Sequence, residues 1–147
     1  MREKRILVVD DDDAIRLLLK TVLRRRGFVV DTARNGFEAL ERIGTSRYAL
    51  ILLDVMMPVM SGYDLLERLS NRASPGRPRV LLLSAGNDLR NFDAGLVVGA
   101  MHKPFDIDLL VDTVVGCLSD AGVEYGDAEE VGKKHGRSTA VPASELN

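Results

Sequence analysis

The sequence is poor in cysteine and histidine and has no excess of either charge. Its one thiol, Cys117, excludes an internal disulfide framework. That residue falls in a stretch read as helix, where it serves as a small apolar group. His102 and His135 are the only histidines, and neither has the spacing of a metal-ligand pair. The net charge of −2 gives no sign of a basic surface for nucleic acid. No long apolar run precedes the acidic stretch in MREKRILVVDDDD, so no signal peptide is expected. No run is long enough to span a membrane, and the cytoplasm is the expected compartment. No segment repeats.

What is present is ordinary for one globular domain with a real core: 147 residues, 46% apolar and 29% charged. The chain centres on LILLDVMMPVMSG, residues Leu50 to Gly62. Four apolar residues (Leu50 to Leu53) meet one carboxylate, Asp54, and a loop with Pro58 and Gly62 follows. A continuous apolar run of this length, closed by a turn, reads as a strand buried on both faces.

The same pattern recurs along the chain. Ile6 to Val9 reads as a strand that ends in four carboxylates, Asp10 to Asp13. A helix follows, with Asp12 or Asp13 as its N-cap, running to about Arg26 and stopping at Gly27. It holds more apolar residues than one core stripe needs, among them Ile15, Leu17 and Leu18, so some are free to meet a partner. Phe28 to Thr32 is a second strand. Asn35 to Ile43 is a helix with apolar positions at Phe37, Leu40 and Ile43. The third strand is Tyr48 to Leu53. Tyr63 to about Arg72 is a helix with Leu65, Leu66 and Leu69 as its stripe. The SPGRP loop (Ser74 to Pro78) leads to a strand at Val80 to Leu83, ended by Ser84. A short helix is placed near Leu89 to Leu96, and a fifth strand at Gly99 to His102, stopped by Lys103-Pro104. A final amphipathic helix spans Phe105 to Leu118.

Alternating strands and helices predict a doubly wound α/β fold, a parallel sheet with helices on both faces. Right-handed crossovers bring the ends of strands one, three, four and five to one edge, where such sheets bind ligands. That edge collects Asp10, Asp11, Asp54, Ser84 and Lys103. Three carboxylates together repel; a like pair at about 4 Å costs about 4 kcal/mol at an effective dielectric near 20. A proton or a divalent cation relieves this. Oxygen-only ligands with spare positions suit Mg²⁺, which also takes a phosphate oxygen. With Lys103 and Ser84 as donors, the set suits phosphoryl transfer, with Asp54 as nucleophile.

These pieces resemble the receiver domain of two-component response regulators. The match runs through ILVVDDDDAIR (Ile6 to Arg16), LLDVMMPVMSG (Leu52 to Gly62), LLLSAG (Leu81 to Gly86) and HKPF (His102 to Phe105), and covers about Arg5 to Leu118. The resemblance implies a five-stranded sheet of order 2-1-3-4-5. It implies that Asp54 accepts a phosphoryl group from a histidine kinase or histidine phosphotransfer protein. Asp10, Asp11 and Asp54, with the Met56 carbonyl, would hold Mg²⁺. Ser84 and Lys103 would contact the phosphoryl oxygens, the first helix would dock the histidine donor, and the Lys103-Pro104 peptide would be cis. Two departures concern the switch. The family's aromatic three residues before the lysine is Ala100 here, and the segment from Ser84 to Lys103 is about one helical turn short. The fourth helix is therefore expected to be shortened.

Residues 1–120 are expected to form the receiver and 121–147 a flexible polar tail, which holds four glycines and few large apolar groups. The leading reading is a stand-alone receiver, not a dedicated enzyme, signalling by phosphorylation-dependent protein binding or relay. One alternative is a pseudo-receiver, a constitutive interaction module. Another is a phosphatase of haloacid-dehalogenase type using Asp10, since Asp10-x-Asp12 follows the first strand; it leaves the motif from Asp54 to Gly62 unexplained.

Overall fold

The structure, a computed structural model, describes residues 4–71, 78–86, 95–119 and 140–142. Five parallel strands form the sheet: β1 (Arg5–Val9), β2 (Val29–Ala33), β3 (Leu50–Asp54), β4 (Arg79–Ser84) and β5 (Val97–His102). Their order is β2-β1-β3-β4-β5, the expected 2-1-3-4-5, and the sheet continues to a sixth strand, β6 (Ala140–Pro142). This strand runs antiparallel to β5. Reading residues 121–147 as a flexible tail therefore fails for Ala140–Pro142, whose backbone belongs to the sheet. Residues 120–139 and 143–147 lie outside the described residues, as does most of the short helix expected near Leu89 to Leu96. Gly95 and Leu96 form a turn into β5.

Alternation along the strands divides the core in two. Leu7, Val9, Ile51, Leu53, Val80 and Leu82 face one side of the sheet. Ile6, Val8, Leu50, Leu52, Leu81 and Leu83 face the other. Helices α2 (Gly36–Thr45) and α3 (Gly62–Ser70) cover the first face, and α1 (Asp13–Arg25) and α4 (Ile107–Cys117) the second. Both faces are covered, so the strands read as unbroken apolar runs. In α2, Ala39, Leu40 and Ile43 face the core, whereas Phe37 is 51% exposed. In α1, Leu19 and Leu23 are buried, and Leu17 and Leu18 are left at the surface.

Side-chain caps set the helix starts. Asp12 accepts the N–H groups of Ala14 and Ile15, Asn35 that of Glu38 and Asp106 that of Leu109. Ser61 and Asp64 form a reciprocal capping box on α3. Gly27 adopts φ 93° just past α1, the left-handed conformation that glycine enters without a Cβ clash. Gly62 is needed for space. A Cβ there would lie 2.5 Å from the Asp54 carbonyl oxygen and 2.7 Å from Val55 Cα. Only glycine lets α3 begin against the end of β3.

Candidate functional site

Parallel strands end together, and the ends of β1, β3, β4 and β5 bring the predicted residues to one edge. Asp10 follows β1, Asp54 and Ser84 close β3 and β4, and Lys103 follows β5. The Lys103 N–H donates to the Ser84 carbonyl at 2.6 Å, extending the ladder one residue past β5. The Lys103-Pro104 peptide is cis. Asp10, Asp54 and Ser84 are buried, and Asp11 is exposed.

One ammonium serves two buried carboxylates unequally. Lys103 Nζ donates to Asp10 Oδ2 at 2.8 Å and stands 3.6 Å from Asp54 Oδ2. Asp10 Oδ1 accepts the Asp12 N–H at 2.9 Å. Asp54 Oδ1 accepts the Met56 N–H at 3.1 Å. Burial, with the Asp10 charge beside it, raises the Asp54 pKa from 3.8 to about 7 against the opposing pull of the Met56 N–H and Lys103. Burial pulls Lys103 down, but Asp10 and Asp54 more than offset it and hold the ammonium above its ordinary value.

Asp10, Asp11 and Asp54 each offer a carboxylate oxygen, and these lie within 4.8 Å of one another. The donor set is all oxygen, with two members buried and the third open to solvent. Hard oxygen ligands with an open side fit a small divalent cation that keeps part of its water. Ser84 Oγ donates to the Gly86 carbonyl at 2.8 Å and accepts the Gly86 N–H at 3.3 Å. This pair of bonds fixes the hydroxyl at the sheet edge.

The sequence reading gave Arg16 no role. Its Nη1 donates to the Asp10 carbonyl at 2.7 Å, and its Nη2 pairs with Asp13. The available signal was an arginine one turn into a helix that opens on carboxylates. Ala100 is buried in the face covered by α2 and α3. A small residue stands where the resemblance calls for an aromatic.

The model of the response regulator receiver domain matches residues 6–115, most of the chain and every strand end just described. The chain belongs to the response regulator receiver family. The receiver is 41% identical over 117 residues to a CpxR homolog of Haemophilus influenzae, a transcriptional regulatory protein; the match covers 78% of this chain and 50% of the relative. It is 35% identical over 117 residues to sporulation initiation phosphotransferase F of Bacillus subtilis, covering 78% of this chain and 93% of that protein. The chain thus spans about half the length of several curated regulators it matches and nearly all of the phosphotransferase. Among solved structures, TrrA of Thermotoga maritima bound to Mg²⁺ and BeF superposes with a TM-score of 0.68 at 35% identity, covering 78% of this chain and 99% of that one. TrrA in complex with the histidine kinase ThkA gives 0.68 at 34% identity, covering 79% and 99%. Among the described residues, no helix of this receiver is long and apolar enough to cross a membrane.

Proposed function

We infer that the protein is a phosphoryl-accepting signalling module of a cytoplasmic two-component system. Asp54 is the acceptor, and a histidine kinase or histidine phosphotransfer protein is the donor. The observation that carries this is the placement of Asp54. It is a buried carboxylate at a parallel-strand end, 3.6 Å from an ammonium, in a cluster of three carboxylates. In the transfer, an Asp54 oxygen forms a bond to phosphorus as the donor's phosphorus–nitrogen bond breaks, and the pair of electrons leaves with the imidazole. With a cation offsetting the burial that raises its pKa, Asp54 would be ionised and have no proton to lose, so no base would be required.

Asp10, Asp11 and Asp54 would hold Mg²⁺, with the Met56 carbonyl. The cation would supply positive charge both to the carboxylate cluster and to the phosphoryl oxygens. TrrA carries Mg²⁺ and BeF, and its similarity to this receiver supports the assignment. Lys103 and Ser84 would meet the remaining phosphoryl oxygens. The surface of α1, with Leu17 at 63% and Leu18 at 44% exposure beside half-buried Ile15, is the proposed seat of the histidine donor.

Asp10 is a poor alternative nucleophile. It is fully buried, and both its oxygens are engaged, one by Lys103 and one by the Asp12 N–H. A second reading rests on Ala100: a receiver without the family's aromatic at this position would bind its partner regardless of phosphorylation. Similarity to sporulation initiation phosphotransferase F supports phosphoryl relay; stand-alone signalling, without catalysis of any other reaction, is part of the same proposal.

Intact mass after incubation with acetyl phosphate and Mg²⁺ tests the assignment. The expected result is one added phosphoryl group, lost in Asp54→Ala and lost without Mg²⁺. No added mass under conditions that label a control receiver would reject phosphoryl acceptance and leave the constitutive module.

A further inference from the structure

The outer edge of β5 carries a strand from far along the same chain. The register sets Gly99 opposite Pro142, Ala100 opposite Val141 and Met101 opposite Ala140. Backbone direction alternates along a strand, so one known bond fixes the rest. The Lys103 N–H points to β4, where it donates to Ser84. By parity, Met101 and Gly99 also turn their polar groups to β4, and Ala100 turns its own outward. Ala100 and Val141 are then the pair that exchanges both backbone hydrogen bonds. Pro142, one residue on, turns its nitrogen to the far side. The missing N–H therefore costs β5 nothing and removes a donor from the new outer edge.

Without β6, this edge would be a poor one to leave open. Val97 to His102 reads VVGAMH, with no proline, lysine or carboxylate. Charges and proline are the usual means by which an edge strand avoids pairing with another chain. An uncharged edge strand can also pair with its own copy, antiparallel across a two-fold axis, without any further surface being designed for it.

We propose that Ala140–Pro142 is an intramolecular edge cap whose docking on β5 prevents a second copy of the chain from pairing there. Release of the cap opens β5 as an antiparallel dimer edge. The cap sits two residues before Lys103, on the strand that delivers the ammonium to the acidic cluster.

The test uses the full chain with Val141→Pro, which removes the N–H that, among Ala140–Pro142, is directed at β5. Val141→Ala keeps that N–H and serves as the control. Amide exchange at Ala100 is measured at low concentration, and mass in solution by light scattering up to about 100 µM, where mass action favours association. The native chain and Val141→Ala are expected to be monomers with a protected Ala100 amide. Val141→Pro is expected to exchange at Ala100 about tenfold faster or more and to dimerise as concentration rises, regaining protection in the dimer. An unchanged exchange rate would overturn the cap. A Val141→Pro chain that stays monomeric would overturn its role in keeping copies apart. A native dimer that Val141→Pro dissolves would mean that this strand joins copies instead. An unchanged far-ultraviolet circular dichroism spectrum separates loss of the cap from loss of fold.

Discussion

Replacing Asp54 by Asn should stabilise the receiver at neutral and alkaline pH, although it removes the proposed phosphoryl acceptor. Asp54 has its pKa raised from 3.8 to about 7, chiefly by burial. Between those values the native state holds a proton that the unfolded chain has lost. Stability therefore falls as pH rises through this window and levels off above the native pKa. A gap of about three units amounts to about 4 kcal/mol at 1.36 kcal/mol per unit. Asparagine never ionises, so it escapes this loss. Its amide oxygen can still accept the Met56 N–H, which Asp54 accepts at 3.1 Å. Its NH₂ group faces the Lys103 ammonium instead of a carboxylate oxygen, which costs about 1 to 2 kcal/mol. The net gain expected at pH 8 is about 2 to 3 kcal/mol; as pH falls from about 7 to about 4 it should close and reverse to a deficit of about 1 to 2 kcal/mol, the cost of the amide beside the ammonium. Urea unfolding of both proteins in metal-free buffer across this range measures it, with unchanged m-values as the check that only stability has moved. Mg²⁺ should narrow the gap by stabilising the native protein alone. A gain that is flat with pH, or a variant less stable at pH 8, would refute the account of Asp54 as a carboxylate destabilised by its burial.

Two further substitutions probe the frame around the site. Gly62→Ala gains about 1 kcal/mol of helix propensity, but its Cβ meets the Asp54 carbonyl oxygen at 2.5 Å and Val55 Cα at 2.7 Å. Backbone cannot give way as a flexible side chain can, so a net loss of about 1 to 3 kcal/mol is expected in urea unfolding; a neutral result would mean that α3 starts further from β3. Tyr48→Phe removes the hydroxyl that donates to Asp31 at 2.6 Å, leaving Arg5 at 3.0 Å. Burial pushes the Asp31 pKa up, but those two hydrogen bonds more than offset it and hold the carboxyl below its ordinary value of 3.8. The stability this pair contributes is present above about pH 4 and lost as pH falls through the native pKa. Tyr48→Phe should cost about 1 kcal/mol at pH 7 and less at pH 3, read from thermal midpoints; an equal loss at both would assign the effect to packing.

The strands were legible because burial on both faces removes polar interruptions: Leu50 to Leu53 reads as strand at sight. Helix starts were legible where a short polar residue precedes an apolar stripe, as at Asp12. The acidic edge followed from parallel topology, since parallel strands end together, with the order of the strands supplied by the family resemblance. Several features needed three dimensions. Phe37 fits the apolar spacing of α2, yet the stripe that meets the sheet turns on Ala39, whose small side chain gives no signal. The unequal sharing of Lys103 depends on a distance across 93 positions of sequence. Arg16 was legible as a residue but not as a contact, because its partner is a backbone carbonyl. Strand β6 was missed because three residues without alternation carry no period, and its pairing is set by the open edge of β5.

Residues 10 to 16 are joined by a closed circuit of hydrogen bonds. The Asp12 N–H donates to Asp10 Oδ1, the Asp12 side chain accepts the Ala14 and Ile15 N–H groups, and Arg16 donates back to the Asp10 carbonyl. In mechanical terms, the start of α1 and the acidic loop are one rigid part. A protein seated on Leu17 and Leu18, as proposed, would thereby be held at a fixed offset from the carboxylates, as a workpiece is held by a jig. Alignment of an incoming group with the acidic loop would then be set by where such a partner sits on α1.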